Sequence, residues 1–261
     1  MAPCILTTAM PPLSTIEILG VPILQASSQQ ALATIERAAT EHPPALVAYV
    51  NAHTLNLASI DPSYRDILCS ADVVLNDGAG VGLAGRLRKR PFPENLNGSD
   101  LNPKLLELAA RRGWSVYLLG GHPGVASQAA GKLRAKIPGL DVAGTHDGFF
   151  PRTEDARLAA EIRHTGADVV MVAMGNPLQE RWLAENLRAT GCLLGVGVGA
   201  FFDFAAERVR RAPAWMNRLG VEWLWRLVLE PGRLWRRYVV GNPAFLWRVT
   251  RDAFGRSKDG R

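Results

Sequence analysis

Between residues 16 and 204, short apolar runs alternate with longer stretches in which apolar side chains recur every three or four positions. The runs Ala45–Val50, Val73–Leu75, Ser115–Leu119, Asp168–Val172 and Leu193–Val198 read as strands. Several show no polar alternation at all, the pattern of strands covered on both faces. The stretches Ser28–Ala39, Thr54–Asp61, Leu101–Arg111, Gly124–Ala135, Glu154–His164 and Pro177–Arg188 read as helices. Their alternation predicts an α/β domain, a Rossmann-like and largely parallel sheet flanked by helices. Ligands of such sheets bind beyond the carboxyl ends of the strands, which points to the loops at Asn51, Asp77, Gly120, Gly175 and Gly199.

Beyond Phe204 the pattern changes to helical segments expected to break at Pro213, Pro231–Gly232 and Pro243. We therefore expect two units, a catalytic α/β body over residues 1–205 and a helical basic appendage over residues 206–261. Residues 201–261 carry thirteen Arg and Lys against six Asp and Glu, so they hold about +7 of a chain whose net charge is +6. Five of the seven tryptophans, Trp215, Trp223, Trp225, Trp235 and Trp247, lie in the same stretch. Guanidinium groups take phosphate oxygens in pairs and indoles prefer the boundary of water and lipid, so this segment suits an anionic, partly apolar partner. A basic helix docked by its leucines and otherwise solvated is the plainer reading.

Composition narrows the setting. Apolar and charged fractions are those of a globular protein, and the long uncharged runs, residues 18–35 and 42–60, are interrupted by Pro, Gln, Asn and Ser, so no stretch reads as the ~18 predominantly apolar residues that a spanning helix needs. The N-terminal residues lack a basic stretch and are interrupted by Pro3, Pro11, Pro12 and Pro22, against a signal peptide. Cys4, Cys69 and Cys192 fit neither a zinc site nor a disulfide framework, and a reducing cytosol is expected.

The strand ends carry the candidate chemistry. Val73–Leu75 leads into Asn76-Asp77-Gly78-Ala79-Gly80, where Asp77 can act as a general base or simply cap the next helix. Ala45–Val50 ends in Asn51-Ala52-His53-Thr54, where Asn51 can bond a sugar hydroxyl or cap a helix and His53 can do acid–base work. Gly120-Gly121-His122-Pro123-Gly124 opens a helix and could cradle phosphate. It lacks the dinucleotide spacing, and Asp141 precedes the following strand instead of ending it, which argues against a nicotinamide-binding protein. Gly175-Asn-Pro-Leu-Gln-Glu180 places Gln179 in the first turn of a helix. No D-x-D occurs, so a nucleotide-sugar enzyme of this sequence would hold its diphosphate with arginines and no metal. A nucleic-acid binder is the third class considered; the leucines and tryptophans of the tail and the lack of a binding motif argue against it.

Taken in order, Asn51–Ala58, Ala71–Gly78, Asn97–Leu101, Tyr117–Gly121, Gly175–Arg181, Arg210–Met216, Glu222–Arg226 and Glu230–Tyr238 resemble the bacterial WecG/TagA/CpsF glycosyltransferases. The resemblance implies a fold of the GT-E type and inverting, metal-independent transfer from a UDP-sugar to a polyprenyl-diphosphate-linked sugar at the cytoplasmic membrane face. It implies a peripheral protein with no cofactor and no nucleic-acid partner, and it allows for a homo-oligomer. By matching position, Asp77 is the expected base, Asn51 and Gln179 belong to the catalytic pocket, and Arg226, Arg233 and Arg236 close over the diphosphate. Tyr49, Asn95, Gly120, Gly121, Phe149 and Asp203 match substrate-contacting positions. Two depart from the family pattern: Tyr49 stands where threonine is usual, and Asn95 where arginine is usual. The altered pocket makes UDP-glucose and a β-1,4 linkage in exopolysaccharide synthesis, as in the xanthan and acetan branch, the expected reaction. UDP-N-acetylmannosamine or its uronate is the alternative donor.

Overall fold

The computed structural model describes residues 13–209, 216, 222–229 and 231–255, with side chains for all of these except Glu222, Arg226, Leu229, Arg233 and residues 253–255. The chain opens with an antiparallel hairpin, β1 (Thr15–Ile18) and β2 (Val21–Leu24), turning through Leu19 and Gly20 at positive φ. Then follow α1 (Ser28–Glu41), β3 (Ala45–Val50), α2 (Ala52–Ile60), α3 (Pro62–Ser70), β4 (Val73–Asn76), α4 (Ala79–Leu87) and α5 (Gly98–Arg112). The second half of the body is β5 (Val116–Gly120), α6 (Val125–Lys136), β6 (Val142–His146), α7 (Asp155–Thr165), β7 (Val169–Ala173), α8 (Leu178–Thr190), β8 (Leu194–Gly197) and α9 (Phe201–Ala205). The appendage contributes α10 (Glu222–Leu229), α11 (Pro231–Trp235), a π-helical turn (Arg236–Val240) and α12 (Gly241–Gly255).

Six strands form one parallel sheet in the order β4-β3-β8-β7-β5-β6. Every residue of β3, β4, β5, β7 and β8 is buried, as their unbroken apolar runs require of strands packed on both faces. Alternate side chains feed two cores. Val47, Tyr49, Leu75, Leu118 and Met171 pack with α1, α5, α6 and α9. Leu46, Ala48, Val50, Val74, Tyr117 and Val172 pack with α2, α3, α4, α7 and α8. Each buried aliphatic side chain contributes about 1.5–3 kcal/mol relative to exposure, so these layers fix where the strands end. The chain leaves β5 for β6 on one side and β7 for β8 on the other, which makes the seam between β5 and β7 a topological switch point.

The expected α/β architecture is present. The sequence pattern missed the β1–β2 hairpin and α3; it placed a helix after Asp77 and a strand after Asp141 without bounds, and that strand, β6, has only one buried side chain among Val-Ala-Gly-Thr-His. As expected, Asp141 precedes that strand. The expected break at Pro243 does not occur: the chain is helical from Pro231 to Gly255. Pro243 sits in the first turn of α12, where its missing N–H is tolerated, and the ladder widens into a π turn just before it. Pro213 lies outside the described residues.

The last helix is docked on the body. Phe245 and Val249 of α12 are fully buried in the core beneath α2 and α4. Gly80 lies against both α2 and α12, since a Cβ there would sit 3.3 Å from the Ala52 Cβ and in ordinary contact, 3.7 Å, with the Phe245 ring. Asn56 of α2 donates to the Gly241 carbonyl at 2.8 Å and accepts from Arg248, while Arg88 pairs with Asp252.

Candidate active site

Because the sheet is parallel, all its strands deliver their carboxyl ends to one edge. At one end of that edge β3 and β4 stop side by side, with Val50 paired to Asn76. The next residues are Asn51 and Asp77. Asn51 caps α2 by accepting from the N–H groups of His53 and Thr54, each at 3.1 Å, and from the Thr54 hydroxyl. Its amide nitrogen donates to Asp77 Oδ2 at 3.3 Å. The two readings of Asn51 thus hold together: capping fixes the side chain, and the fixed side chain orients the carboxylate. The Asp77 N–H donates to the Val50 carbonyl at 2.8 Å, and the cap position of α4 falls on Gly78. Gly78 has φ +88°, which favours glycine, and lets the chain turn away so that the half-buried Asp77 stays at the sheet edge.

Tyr49 and Asn95 flank this carboxylate. The Tyr49 hydroxyl donates to Asn102 Oδ1 at 2.8 Å, and burial together with the charge of Asp77 raises its pKa far above the ordinary phenol value. It is therefore a hydrogen-bond donor held within the protein. Asn95 Oδ1 accepts from the Gly78 N–H at 2.8 Å. A groove of about 460 Å³ opens beside it, lined by Ser28, Glu94, Asn97, Asp100 and Lys104. His53 is a poor candidate for acid–base work: burial and then the nearby Arg237 lower its pKa to about 4, so it is uncharged at neutral pH and weakly basic.

The other end of the edge is made of backbone. Gly120 and Gly121 both have positive φ, and a Cβ on Gly120 would lie 2.5 Å from the Ala173 carbonyl oxygen. Gly121 donates to that same carbonyl at 2.9 Å and accepts from the Gly148 N–H at 2.9 Å. The turns after β5, β6 and β7 are thereby drawn together. Phe149 stands above them, 66% exposed, with its ring stacked on His122 at 4.7 Å. Asp203 is half-buried on α9, where its carbonyl accepts from the Arg208 and Val209 N–H groups.

Between the two ends lies Gln179, which is almost fully buried. Its oxygen accepts from the N–H groups of Gly175 and Gly199, and its nitrogen donates to Glu180. Sequence reasoning missed Glu180, Tyr64 and Asn102, because a buried polar residue leaves no periodic signal until its partners from distant helices are placed. Among the appendage arginines, Arg236 is exposed with its guanidinium 5.5 Å from the Trp235 ring centroid. The side chains of Arg226 and Arg233 lie outside the described residues. Among the described residues no three His, Cys, Asp or Glu side chains come together as metal ligands would.

Residues 16–259 match the model of the Glycosyl transferase WecG/TagA/CpsF family. The chain belongs to that family. It is a glycosyltransferase, and the Asp77 end of the sheet edge is the part of the family fold where this chain offers a positioned carboxylate. A similar protein is the N-acetylglucosaminyldiphosphoundecaprenol N-acetyl-beta-D-mannosaminyltransferase of Bacillus subtilis (strain 168), 32% identical over 209 residues, which are 80% of each chain. The name of that relative specifies transfer of N-acetylmannosamine. It supports the alternative donor raised from the sequence, not the glucosyl donor preferred there.

Proposed function

We propose that this transferase moves N-acetylmannosamine from its UDP-activated form to a sugar carried on undecaprenyl diphosphate, with inversion at the anomeric carbon. The observation that carries the reading is the Asp77 carboxylate, held at the strand end and oriented by the Asn51 amide. In this reading Asp77 takes the proton of the acceptor hydroxyl as its oxygen attacks opposite the departing UDP. The diphosphate lies toward Gly120 and Gly121, where the backbone can be approached closely and the N-terminus of α6 meets negative charge, with Phe149 and Asp203 on the nucleoside side. Arg226, Arg233 and Arg236 of the appendage close over the leaving phosphate. We keep the division into a body over residues 1–205 and an appendage over residues 206–261, with α12 as the part that anchors the appendage.

The same appendage is proposed to lie on the cytoplasmic membrane surface. Trp223, Leu224, Val228, Trp235, Val239, Val240 and Trp247 are exposed there among arginines. Among the described residues no helix is long and apolar enough to cross a membrane. A surface-bound segment brings the body to a lipid-linked acceptor without spanning.

UDP-glucose remains the second reading, favoured by Tyr49. Its buried ring and its bond to Asn102 take up room and a hydrogen-bonding position beside Asp77. The test is turnover with a panel of UDP-sugars on lipid-diphosphate-linked N-acetylglucosamine and lipid-diphosphate-linked glucose. UDP-N-acetylmannosamine with the first acceptor should give the highest kcat/KM. A preference for UDP-glucose on the second acceptor would establish the second reading, and no product from any UDP-sugar would defeat both.

A further inference from the structure

Glu180 is fully buried, yet it has no part in the chemistry described above. Its carboxylate accepts from three donors that belong to different parts of the body. Tyr64 of α3 donates to Oε2 at 3.1 Å, and Asn176 and Gln179 donate to Oε1 at 2.6 and 2.7 Å. Tyr64 is itself fully buried, and burial with the adjacent carboxylate keeps its phenol protonated. The Asn176 and Gln179 amide groups are neutral, and the nearest cation on the same helix, Arg181, is engaged by Asp61. At Oε1 the carboxylate meets two amide N–H donors that only an acceptor can satisfy, whereas the Tyr64 hydroxyl at Oε2 can donate or accept.

The consequence falls on Gln179. With Glu180 taking its Nε2 proton, the amide can only point one way, and Oε1 faces the N–H groups of Gly175 at 3.2 Å and Gly199 at 3.0 Å. Those two N–H groups begin the turns after β7 and β8. A flipped amide would set its NH2 against two other donors. The site is tight as well: a Cβ on Gly197 would lie 2.9 Å from Gln179 Nε2 and 3.2 Å from Glu180 Oε1. Since β8 pairs with β3 on one side and β7 on the other, the Gly199 turn lies between the Asn51 and Gly175 turns.

We infer that Glu180 is a positioning residue for donor binding, and that Gln179 acts with it as a clamp on two strand-end turns instead of touching the sugar. Glu180 locks the Gln179 amide, the amide holds the Gly175 and Gly199 turns at one spacing, and that spacing sets the width of the cleft between Asp77 and the glycine cradle. The inference rests on the proposed placement of the UDP-sugar along this edge.

The test uses the full-length protein with Glu180→Gln and with the exchanged pair Gln179→Glu/Glu180→Gln. In the single variant a donor replaces one acceptor oxygen, and the Gln179 amide loses its fixed orientation. Hydrogen exchange at the Gly175 and Gly199 amides should speed up by about tenfold or more, the effect of losing one charge-assisted hydrogen bond. The KM for the UDP-sugar should rise by about tenfold while kcat changes by less than about threefold, because Asp77 is untouched. The exchanged pair restores the bond between positions 179 and 180 but leaves an NH2 facing Asn176 Nδ2, so it should return both readings part of the way toward wild type, which a general loss of stability would not. If Glu180→Gln fails to fold, Tyr64→Phe removes one donor alone and should move the same two readings in the same direction, by less. Unchanged exchange at both glycines overturns the clamp. Faster exchange with an unchanged donor KM overturns its role in donor binding. A wild-type protein that binds no UDP-sugar would instead defeat the proposed function, and the exchange data would still decide the clamp.

Discussion

The two ends of the sheet edge solve different problems with different materials. Where β3 and β4 stop, side chains do the work: Asn51 caps a helix and in doing so aims its amide at Asp77. Where β5 stops, two successive glycines follow the strand, and Gly120 brings backbone within a distance that even a methyl group would forbid. Proton transfer needs a titratable group held at one angle, whereas a diphosphate needs N–H groups brought close on several sides. The comparison teaches that one parallel sheet can separate chemistry from binding by what it places after each strand.

The largest effect should come from removing the carboxylate. Asp77→Asn keeps the shape and is expected to lower kcat by roughly 10²–10⁴-fold with the melting temperature nearly unchanged, since asparagine caps a helix as well as aspartate does. Near-normal turnover in a steady-state assay would break the comparison at its chemical end. Next comes the support beneath that end, because Phe245 is the largest fully buried side chain that α12 sets in the core with α2 and α4. Phe245→Ala should destabilise the protein by about 3–5 kcal/mol in denaturant unfolding. Arg233→Ala asks whether the appendage meets the leaving phosphate. It should reduce kcat/KM by the equivalent of about 2–4 kcal/mol while the protein still sediments with anionic vesicles, one surface charge adding only about 1 kcal/mol to lipid binding. Gly120→Ala challenges the other end, and its backbone clash with Ala173 should cost about 1–3 kcal/mol and weaken UDP binding.

The smallest effect concerns pH. His53 has a folded pKa near 4 against an ordinary 6.5, so its contribution to stability is present above pH 6.5 and is lost as pH falls toward 4. Glu180 acts in the opposite sense: its folded pKa of about 7 means that stability is lost as pH rises through that value. His53→Gln should therefore remove part of the acid-side loss in melting curves recorded from pH 7 to pH 4, leaving the neutral side unchanged. Equal acid sensitivity in both proteins would show that the contact between His53 and Arg237 carries no linkage.

The sheet was legible in the sequence because its strands are buried on both faces. Ala45–Val50 has no polar residue to interrupt it, and every one of its side chains is buried. β6 could be placed after Asp141 but not bounded, for the converse reason: at the sheet edge only Val142 needs to be apolar, and Gly144 is required because the Tyr117 ring lies over it. Asp77 and Asn51 could be read as strand-end groups, but a cap and a base share the same local pattern. Only the strand pairing, which sets Val50 beside Asn76, shows that the two side chains meet. Gln179 looked like a pocket residue from its place in a first turn, while its burial and the role of Glu180 depend on Tyr64, more than a hundred positions earlier in the chain. The appendage was read as basic and tryptophan-rich, yet its docking through Phe245, Val249 and Asn56 could not be seen without the α2–α4 surface.

The division of labour along the edge is tested most directly by the affinity for UDP, measured calorimetrically in Asp77→Asn and Gly120→Ala side by side. Chemistry at one end and binding at the other predict that Asp77→Asn binds UDP as wild type does, within about twofold, and that Gly120→Ala binds it about tenfold more weakly or worse. The reverse result, with UDP lost from Asp77→Asn and retained by Gly120→Ala, would place the diphosphate at the β3–β4 end and contradict the account.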